Sequence, residues 1–340
     1  MDHLYYSLLN TYTAQPLDRS AHGRKDPDWL ATQLNDTRSE YLILNGYSIV
    51  TINRVPLILS YDQFQSLDDS INPSLLGLKK TDNTPVFLVN INESEEELSI
   101  LFRPIGDDFE TKASANKSID REIIESLSLR DITREIDPEI ASMYSYATIL
   151  NHWHITTRFC TRCGSTLKIK EGGSIQQCTN ESCSHIEYPR ININPAVIMR
   201  VTKDDKILLA RQESWPEHMY SVLAGFVEVG ETLEQAVERE VMEEVNIPVK
   251  NINYHSSQPW PFPNSMMLGY TAEATSYEFD LEQDEIEDAL WLTAEEMKVK
   301  MIEGTLFPSS VFSISHSLIN DWFLVQTGIS IKEFKSTMPQ

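Results

Sequence analysis

The sequence predicts an α+β protein built from three successive parts. An N-terminal mixed α/β domain is expected at residues 1–155, a small cysteine ribbon at 156–190, and a second domain of helices and strands at 191–326. The length of 340 residues is enough for about two domains of ordinary size. All four cysteines lie between positions 160 and 183, and segments with strand and helix patterns occur on both sides of them.

The N-terminal part shows elements of both types. Strands are predicted at 55–61, 87–89 and 98–102, where short apolar runs are bounded by polar or acidic segments. From 119 to about 153 the apolar spacing becomes helical, with an interruption before Pro138. We find no catalytic motif in this part, so we expect a scaffold, lid or dimerisation role.

The C-terminal part alternates strands and helices. Apolar runs at 196–201 and 207–210 predict a hairpin that turns at the polar residues 203–206. A helix is predicted at about 232–246, a short strand at 290–292 and an amphipathic helix at about 311–325.

The charge balance excludes several kinds of partner. The chain has 28 Lys and Arg against 51 Asp and Glu, a formal net charge of −23. General binders of nucleic-acid backbones and polybasic membrane binders need surplus positive charge, so neither is expected. No apolar run reaches the roughly 20 residues of a membrane span. Because the start lacks a signal-peptide pattern and the C-terminus lacks an S-K-L-type signal, we expect a cytoplasmic protein, with a peroxisomal location as the alternative.

The four cysteines have the spacing of a metal site. Cys160 and Cys163 form a C-x2-C pair, and Cys178 and Cys183 form a C-x4-C pair after fourteen intervening residues. Two such pairs on short hairpins let four thiolates surround one Zn2+ tetrahedrally. A four-cysteine site leaves no open position for water, so we predict one structural zinc per chain. The alternative is a set of unrelated buried cysteines.

The predicted helix at 232–246 places acidic residues on its apolar side. Thr232 is the predicted N-cap. At about 100° per residue, Glu240 and Glu244 fall within an apolar stripe and Glu243 lies at its edge. The stripe consists of Leu233, Ala236, Val237, Val241 and Val245. The alternative interpretation is an acidic amphipathic helix without a ligand.

Carboxylates that point toward a buried side need a cationic partner, because an unpaired buried charge is costly. Oxygen-only ligands suit a hard divalent ion, Mg2+ or Mn2+. Arg239 could orient one carboxylate by a charge-assisted hydrogen bond. Such a site suits attack of water on a phosphoryl group, and the metal would supply the positive charge that the chain as a whole lacks.

The stretch from 225 to 247 resembles the Nudix box, G-x5-E-x7-R-E-U-x-E-E-x-G-U, in which U is a bulky aliphatic residue. The matching residues are Gly225, Glu231, Arg239, Glu240, Val241, Glu243, Glu244 and Ile247. The one departure is Asn246, where the family has Gly. This position follows the helix and often requires a positive φ, which Asn adopts most readily after Gly. The resemblance implies a Nudix hydrolase with an α/β/α sandwich fold.

Two further motifs resemble the NADH pyrophosphatase subfamily of Nudix hydrolases. One is S-Q-P-W-P-F-P-N-S at 257–265, a proline-stiffened loop whose aromatic rings suit stacking on a base or a nicotinamide ring. The other is the four-cysteine zinc ribbon followed by Tyr188-Pro189-Arg190. Ribbon, box and loop occur in the subfamily's order and extend the resemblance over about residues 155–325.

The resemblance also implies roles for individual residues. Glu240, Glu243, Glu244 and Glu285 would bind the catalytic Mg2+ or Mn2+. The substrate site would contain Gln258, Pro259, Trp260, Pro261, Phe262, Pro263, Asn264 and Ser265, together with Tyr188, Ala224, Phe226 and Ser315. Ser315 stands where the family usually has Ala. Members of the family are typically homodimers, and we expect the same for this chain.

The function implied by the resemblance is hydrolysis of the pyrophosphate bond of NADH, and of NAD+, to nicotinamide mononucleotide and AMP. An alternative is removal of NAD caps from RNA 5′ ends by the same chemistry, against which the net charge of −23 argues weakly. An alternative of another class is an inactive Nudix-fold binding or regulatory module. Such a module would not require the three carboxylates at 240, 243 and 244.

Overall fold

The structure is a computed structural model that describes residues 2–67, 71–106, 123–281 and 285–338. The chain forms two compact units. Unit 1 comprises residues 1–13, 194–260 and 265–340, and unit 2 comprises residues 14–193 and 261–264. Within the described ranges, no helix has both the length and the apolar character that crossing a membrane requires.

Both units contain helices as well as strands. The helices are α1 (His3–Leu8), α2 (Pro27–Leu34), α3 (Tyr61–Gln65), α4 (Glu95–Gly106), α5 (Leu129–Ile132), α6 (Pro138–Thr156), α7 (Leu233–Val245), α8 (Ala294–Glu303), α9 (Ile314–Thr327) and α10 (Ile331–Ser336). The strands are β1 (Leu17–Asp18), β2 (Glu40–Asn45), β3 (Ser48–Ile52), β4 (Val55–Pro56), β5 (Ile58–Ser60), β6 (Ser74–Lys79), β7 (Pro85–Ile91), β8 (Ile124–Leu127), β9 (Leu167–Lys170), β10 (Ile175–Cys178), β11 (Ile186–Glu187), β12 (Asn194–Lys203), β13 (Lys206–Arg211), β14 (Met219–Tyr220), β15 (Leu223–Phe226), β16 (Val249–Trp260), β17 (Ser265–Ala274), β18 (Asp288–Thr293) and β19 (Phe307–Pro308).

Unit 2 contains a mixed sheet and the cysteine ribbon. The sheet has the order β1-β6-β7-β2-β3-β4, with β5 beside β2 and β8 beside β3. The central run from Tyr41 to Leu44 is completely buried, as expected for a strand covered on both faces. The ribbon is a separate three-stranded sheet with the order β11-β10-β9.

A buried arginine joins this sheet to the ribbon. Arg24 is 4% exposed and donates to the carbonyl oxygens of Leu75 (2.7 Å), Leu76 (2.9 Å) and Gly172 (3.2 Å). Gly172 lies in the turn between β9 and β10. Because hydrogen bonds from a charged donor are stronger than neutral ones, Arg24 fixes the ribbon turn against β6.

One predicted strand of the N-terminal part is wrong. Residues 98–102 belong to helix α4. Leu98 and Phe102 are buried, whereas Ile100 between them is 64% exposed. Burial at positions i and i+4 with exposure at i+2 is a helical pattern. The mostly apolar composition of 98–102 does not by itself distinguish a strand from a helix.

Other predictions in this part are confirmed or corrected. The strand predicted at 87–89 lies within β7. The strand predicted at 55–61 is divided into β4 and β5, and its last residue, Tyr61, begins α3 instead. The helical region predicted from 119 contains β8, which pairs with β3, before α5 and α6 begin. Residues 119–122 lie outside the described residues.

Unit 1 is a sheet between two layers of helices. Its order is β16-β17-β12-β13-β18, with β15 beside β12. Alternate residues of β12 face opposite cores. Val197 and Met199 pack with residues of α7, whereas Ile198 packs with residues of α8, α9 and α10. Because side chains alternate between the faces of a strand, helices cover both sides of the sheet, and the predicted α/β/α sandwich is confirmed.

The elements predicted for this part are also confirmed. Lys203 pairs with Lys206 across the β12–β13 turn, at the centre of the predicted hairpin. Helix α7 and strand β18 contain most or all of the predicted segments 232–246 and 290–292. Helix α9 begins at Ile314, three residues later than predicted, because the side chain of Ser313 caps it.

Helix α1 and the residues after it belong to unit 1, although the sequence assigned them to the N-terminal part. They lie alongside the edge strand β16. Ser257 N donates to Ser7 Oγ at 3.1 Å, and Asn10 Nδ2 donates to Ser256 Oγ at 3.2 Å and to Ser257 O at 3.0 Å. No sequence motif marks this contact, because it depends on residues almost 250 positions apart.

A half-buried ionic group connects α9 to the sheet. Arg200 on β12 donates to Asp321 Oδ2 on α9 at 3.2 Å, and His255 Nε2 lies 3.5 Å from the same oxygen. Contact with His255 and the charge of Arg200 hold the pKa of Asp321 below its usual value, although burial opposes this. The ionised form of Asp321 is therefore the form that stabilises this part of unit 1.

Asp321→Asn should lower the free energy of unfolding at pH 7 by about 2 kcal/mol, because a hydrogen bond to a charged group contributes about 1.5–3 kcal/mol. A carboxyl with a lowered folded-state pKa stabilises the fold above its unfolded pKa of about 3.9. This contribution disappears as the pH falls through the folded-state pKa. Urea unfolding should therefore separate wild type and variant at pH 7, and the difference in the free energy of unfolding should shrink as the pH falls below about 3.9.

The exposed Asp205, in the β12–β13 turn, provides the control. Asp205→Asn should change the free energy of unfolding by less than about 0.5 kcal/mol, as surface substitutions usually do. A difference between wild type and Asp321→Asn that stayed constant as the pH fell well below about 3.9 would contradict the ionic interpretation.

Candidate active site

Helix α7 presents the carboxylates, and its two ends are capped as its sequence predicts. Thr232 is the N-cap and forms a capping box with Gln235. Asn246 ends the helix in the left-handed region with φ 56°. The prediction that Asn replaces Gly at a position of positive φ is therefore confirmed.

The predicted faces of this helix are also observed. Ala236, Val237, Val241 and Val245 are fully buried against the sheet. Glu240 and Glu244 are buried among them at 9% and 4% exposure, whereas the side chain of Glu243 is 59% exposed. Two of the three predicted metal-binding carboxylates thus lie on the buried side of the helix, and the third lies at its border.

Arg239 connects three carboxylates. It donates to both oxygens of Glu231, at 3.1 and 2.6 Å, and to one oxygen each of Glu240 and Glu243, at 2.9 Å in both cases. A further bond of 2.8 Å reaches the carbonyl oxygen of Phe226 at the end of β15. The sequence suggested one carboxylate partner for Arg239. The structure adds Glu231, a residue of the box motif to which the sequence assigned no role in the site.

Gly225 makes room for Glu240. A Cβ atom at residue 225 would overlap the carboxylate of Glu240. The backbone of β15 and the side chain of α7 therefore approach each other more closely than any other residue at 225 would permit. This contact gives the first glycine of the box a steric role.

Gly225→Ala should reduce hydrolytic activity about a hundredfold, because it displaces Glu240 and a misplacement of about 1 Å in a catalytic group can cost that much. The same displacement should weaken binding of Mn2+ to the protein. Steady-state kinetics and a Mn2+ titration of the variant test both effects. Wild-type values for activity and Mn2+ affinity in the folded variant would show that the close contact is unimportant.

Glu244 has the environment of a cation ligand. Among the described residues, its buried Oε2 atom has no hydrogen-bond partner. Burial raises the pKa of Glu244 to about 8, and the negative charges of Glu240, Glu285 and Glu243 contribute to the same shift. Burial also raises the pKa of Glu240, although Arg239 opposes this. A divalent cation would compensate this charge and use the free carboxylate oxygen, so these residues fit the metal that the sequence predicts.

The carboxylates do not form a compact donor set by themselves. In the ranges that the structure describes, the four cysteines have ligand atoms that all lie within 4.8 Å of one another, and the carboxylates form no comparable group. Glu285, the fourth predicted carboxylate ligand, is exposed in the segment before β18, and its charge raises the pKa of both Glu240 and Glu244.

A pocket in unit 1 opens beside Glu244. Its wall includes Ala224 and Trp260, which the sequence assigned to the substrate site. It also includes residues that the sequence did not suggest: Ile198, Trp215, Ser221, Met267, Ile286, Ser313 and Ile314. These residues come from separate segments without a shared motif, so only the fold brings them together. A mainly apolar wall with two tryptophans suits a flat ring.

Residues of the proline-rich loop have different positions. Trp260 lies in the pocket wall, and its ring is stacked on Phe312 at 6.0 Å. Gln258 is completely buried. Strands β16 and β17 pair next to the loop. Pro259 on β16 is opposite Met266, and Ser265 on β17 is opposite Trp260.

The loop residues 261–264 belong to unit 2. There the guanidinium of Arg130 lies 4.5 Å from the centre of the Phe262 ring. Pro261 and Asn264 are buried, Pro263 is exposed, and the side chain of Asn264 donates to the carbonyl oxygen of Asn192.

The remaining predicted substrate residues are distributed as follows. Tyr188 belongs to unit 2, with the guanidinium of Arg190 4.0 Å over its ring. Phe226, at the end of β15, is 60% exposed, so its ring is free to stack on a planar group. Ser315 is only 1% exposed and lies behind the pocket wall, where its Oγ is 2.7 Å from Ser221 Oγ and accepts from Val222 N at 3.3 Å. Ser315 therefore supports the wall instead of lining it.

The side chains of the four cysteines form one cluster in the ribbon. Cys160 and Cys183 have Sγ atoms 3.9 Å apart, and those of Cys163 and Cys178 are 3.4 Å apart. Disulfides require about 2.05 Å, whereas sulfurs around one zinc ion at about 2.3 Å are separated by about 3.8 Å. The cluster therefore has the geometry of a structural zinc site.

A buried glutamate orients the first cysteine pair. Glu187 is 2% exposed and accepts hydrogen bonds from the backbone and side chain of Thr161, which lies between Cys160 and Cys163. Its carboxylate is also 3.3 Å from His185 Nε2. The sequence did not predict this role for Glu187. Its position directly before the Tyr188-Pro189-Arg190 motif was the one sequence feature that could have indicated it.

Two family models match this part of the chain. Residues 155–188 match the NADH pyrophosphatase zinc ribbon domain, and residues 192–309 match the NUDIX domain. This part is a zinc ribbon followed by a Nudix domain. The Nudix domain contains α7 with its carboxylates and most of the pocket wall, so the resemblance found in the box motif is confirmed.

Named relatives share the same region. The chain is 38% identical over 200 residues to "NAD-capped RNA hydrolase NUDT12" of Homo sapiens, covering 56% of this chain and 43% of that protein. It is 41% identical over 171 residues to "NAD-capped RNA hydrolase NudC" of Photobacterium profundum, covering 50% of this chain and 63% of that protein. A crystal structure of a NUDIX hydrolase from Nitrosomonas europaea is 22% identical, with a TM-score of 0.39, covering 54% of this chain and 94% of that one. The chain spans about half the length of the curated relatives it matches.

Proposed function

We propose that this protein hydrolyses the pyrophosphate bond of NADH and NAD+ to nicotinamide mononucleotide and AMP. The observation that carries the proposal is the free, buried carboxylate oxygen of Glu244 beside a pocket with two tryptophans. The carboxylate of Glu244 suits a metal ion, which would contact the phosphates of the substrate. The two tryptophans suit a planar ring. A dinucleotide joined by a pyrophosphate contains both groups. The relatives named as NAD-capped RNA hydrolases support the same substrate class.

The residues of the site would have three separate roles: metal binding, positioning of carboxylates and ring binding. Glu240, Glu243, Glu244 and Glu285 would hold Mg2+ or Mn2+, the ions that oxygen-only ligands favour. Such an ion would lower the pKa of a bound water and neutralise charge on the phosphates. Arg239 would keep Glu231, Glu240 and Glu243 in place, so that little rearrangement is needed when substrate binds. The pocket would fix the ring and exclude water from it.

Product analysis tests the proposal. The purified protein, supplied with Mg2+ or Mn2+, should convert NADH to AMP and reduced nicotinamide mononucleotide in equal amounts. Formation of free nicotinamide and ADP-ribose would show cleavage of a different bond. The absence of any turnover would favour the inactive binding module instead.

The second candidate is removal of NAD caps from RNA, favoured by the names of the relatives. The bond and the chemistry are the same, so only substrate preference separates the two. Comparison of kcat/KM for NADH and for an NAD-capped oligonucleotide decides between them. The predicted homodimer, the cytoplasmic location and the three-part domain division remain predictions; size-exclusion chromatography with light scattering would test the first of these.

A further inference from the structure

The side chain of Gln258 is fully used inside the protein. It is completely buried, and its Oε1 accepts from Ile314 N at 2.7 Å. Its Nε2 donates to the carbonyl oxygens of Phe312 at 2.8 Å and Thr11 at 3.0 Å. Both of its N–H donors are therefore occupied. Gln258 has no donor left for a substrate, in contrast to the role that the resemblance implied.

Two of these partners belong to the segment that forms the pocket wall. Ile314 is the first residue of α9, where backbone N–H groups lack partners within the helix. Ser313 and Ile314 line the pocket, and Phe312 stacks on Trp260, which also lines it. The amide of Gln258 thus holds in place the start of α9 and, through Phe312, the tryptophan beside it.

The third partner, Thr11, comes from the N-terminal segment. Residues 7–13, which we term the N-terminal clamp, lie alongside strand β16. Asn10 is 5% exposed and donates to Ser256 Oγ at 3.2 Å and Ser257 O at 3.0 Å. Thr13 Oγ1 donates to Asn10 O at 2.6 Å and closes a turn around Thr11. These bonds present the carbonyl oxygen of Thr11 to Gln258.

We propose that Gln258 is a positioning residue and that the N-terminal clamp holds the pocket wall in its substrate-binding position through it. None of residues 7–13, all of which the structure describes, lines the pocket. The influence of the clamp passes from Asn10 and Thr11 through Gln258 to the start of α9 and to Trp260. The kinetic consequence rests on the proposed function, because the pocket must bind part of the dinucleotide for the clamp to affect turnover.

The clamp should affect substrate binding more than chemistry. Glu240 and Glu243 on α7 are held by Arg239, which also bonds the end of β15, whereas the hydrogen bonds of Asn10 and Thr11 go to β16. Loss of a clamp contact should therefore raise KM for NADH about tenfold and change kcat by less than about threefold. A residue that only stabilised the fold would lower the amount of active protein without this split.

Asn10→Ala is the decisive variant, with Asn45→Ala as its matched control. Asn45 also donates through Nδ2 to one carbonyl oxygen, Glu93 O at 2.9 Å, and to one serine hydroxyl, Ser126 Oγ at 3.2 Å, but it lies in unit 2. Asn10→Ala should raise KM, and Asn45→Ala should not. Gln258→Glu keeps the acceptor for Ile314 N and removes both donors, so it should raise KM further.

Hydrogen exchange of the free protein provides a readout that does not depend on activity. Backbone amides at 312–316 should exchange at least about fivefold faster in Asn10→Ala than in wild type, and at the wild-type rate in Asn45→Ala. If wild type fails to hydrolyse NADH, the proposed function is wrong, and faster exchange would still support the structural part of the clamp. Unchanged KM in active, folded Asn10→Ala would overturn the proposal, and so would unchanged exchange.

Discussion

Glu244→Gln should reduce kcat for NADH hydrolysis by about three orders of magnitude while the protein stays folded. The substitution keeps the shape of the side chain but removes the charge of a predicted metal ligand, and a metal ion at a reacting phosphate contributes several kcal/mol. A loss of about 4 kcal/mol corresponds to about a thousandfold in rate. Steady-state kinetics at saturating Mg2+ or Mn2+ would measure this effect.

The same variant should not be less stable than wild type in metal-free buffer. Burial raises the pKa of Glu244 to about 8, so its ionised form is unfavourable in the folded protein without a cation. A neutral glutamine removes this cost. Thermal unfolding in the presence of a chelator should therefore give an equal or higher Tm for the variant.

Glu238→Gln is the control, because Glu238 lies on the same helix and is exposed. It should leave kcat and Tm close to their wild-type values. Comparable activity of wild type and Glu244→Gln would remove Glu244 from the metal site and, with it, the main support for the proposed mechanism.

Cys163→Ser should destabilise the protein more than Asp321→Asn does. Cys163 is exposed, so the serine is easily solvated and the main loss is one zinc ligand. Zinc contributes about 10–16 kcal/mol to the folding of isolated zinc-finger peptides. The ribbon of this protein is also held by Arg24, so we expect a smaller effect, a fall in Tm of about 5–10 °C together with zinc far below one per chain.

Ser182→Ala, in the exposed turn before Cys183, should change neither zinc content nor Tm. The remaining folded Cys163→Ser protein should keep its kcat, since a closed tetrathiolate site offers no position for substrate or water. Absence of zinc from the purified wild-type protein would refute the assignment of the cysteines.

Much of the carboxylate helix α7 could be predicted because its capping and burial pattern are local in sequence. The capping role of Thr232, the left-handed conformation of Asn246 and the buried positions of Glu240 and Glu244 all follow from residues within one helix and its ends. The spacing of the four cysteines similarly predicted one cluster, since two close pairs on hairpins have few other arrangements.

The N-terminal part was predicted less well for a physical reason. The apolar run at 98–102 fits either a strand or a helix, and its packing beneath the sheet, which buries Leu98 and Phe102 but exposes Ile100, decides between them. Residues 124–127 likewise form a strand because β3 offers a free partner edge, which no local pattern reveals.

The sequence by itself determined the carboxylate helix and the cysteine ribbon, because each depends on side chains at fixed short spacings. Only the tertiary structure decided the roles of residues that work through distant partners. Gln258 belongs to a motif that suggested substrate contact, yet its amide binds backbone groups at Thr11, Phe312 and Ile314. A buried amide takes the partners that folding brings to it, and residues 11 and 314 become neighbours only when the chain has folded.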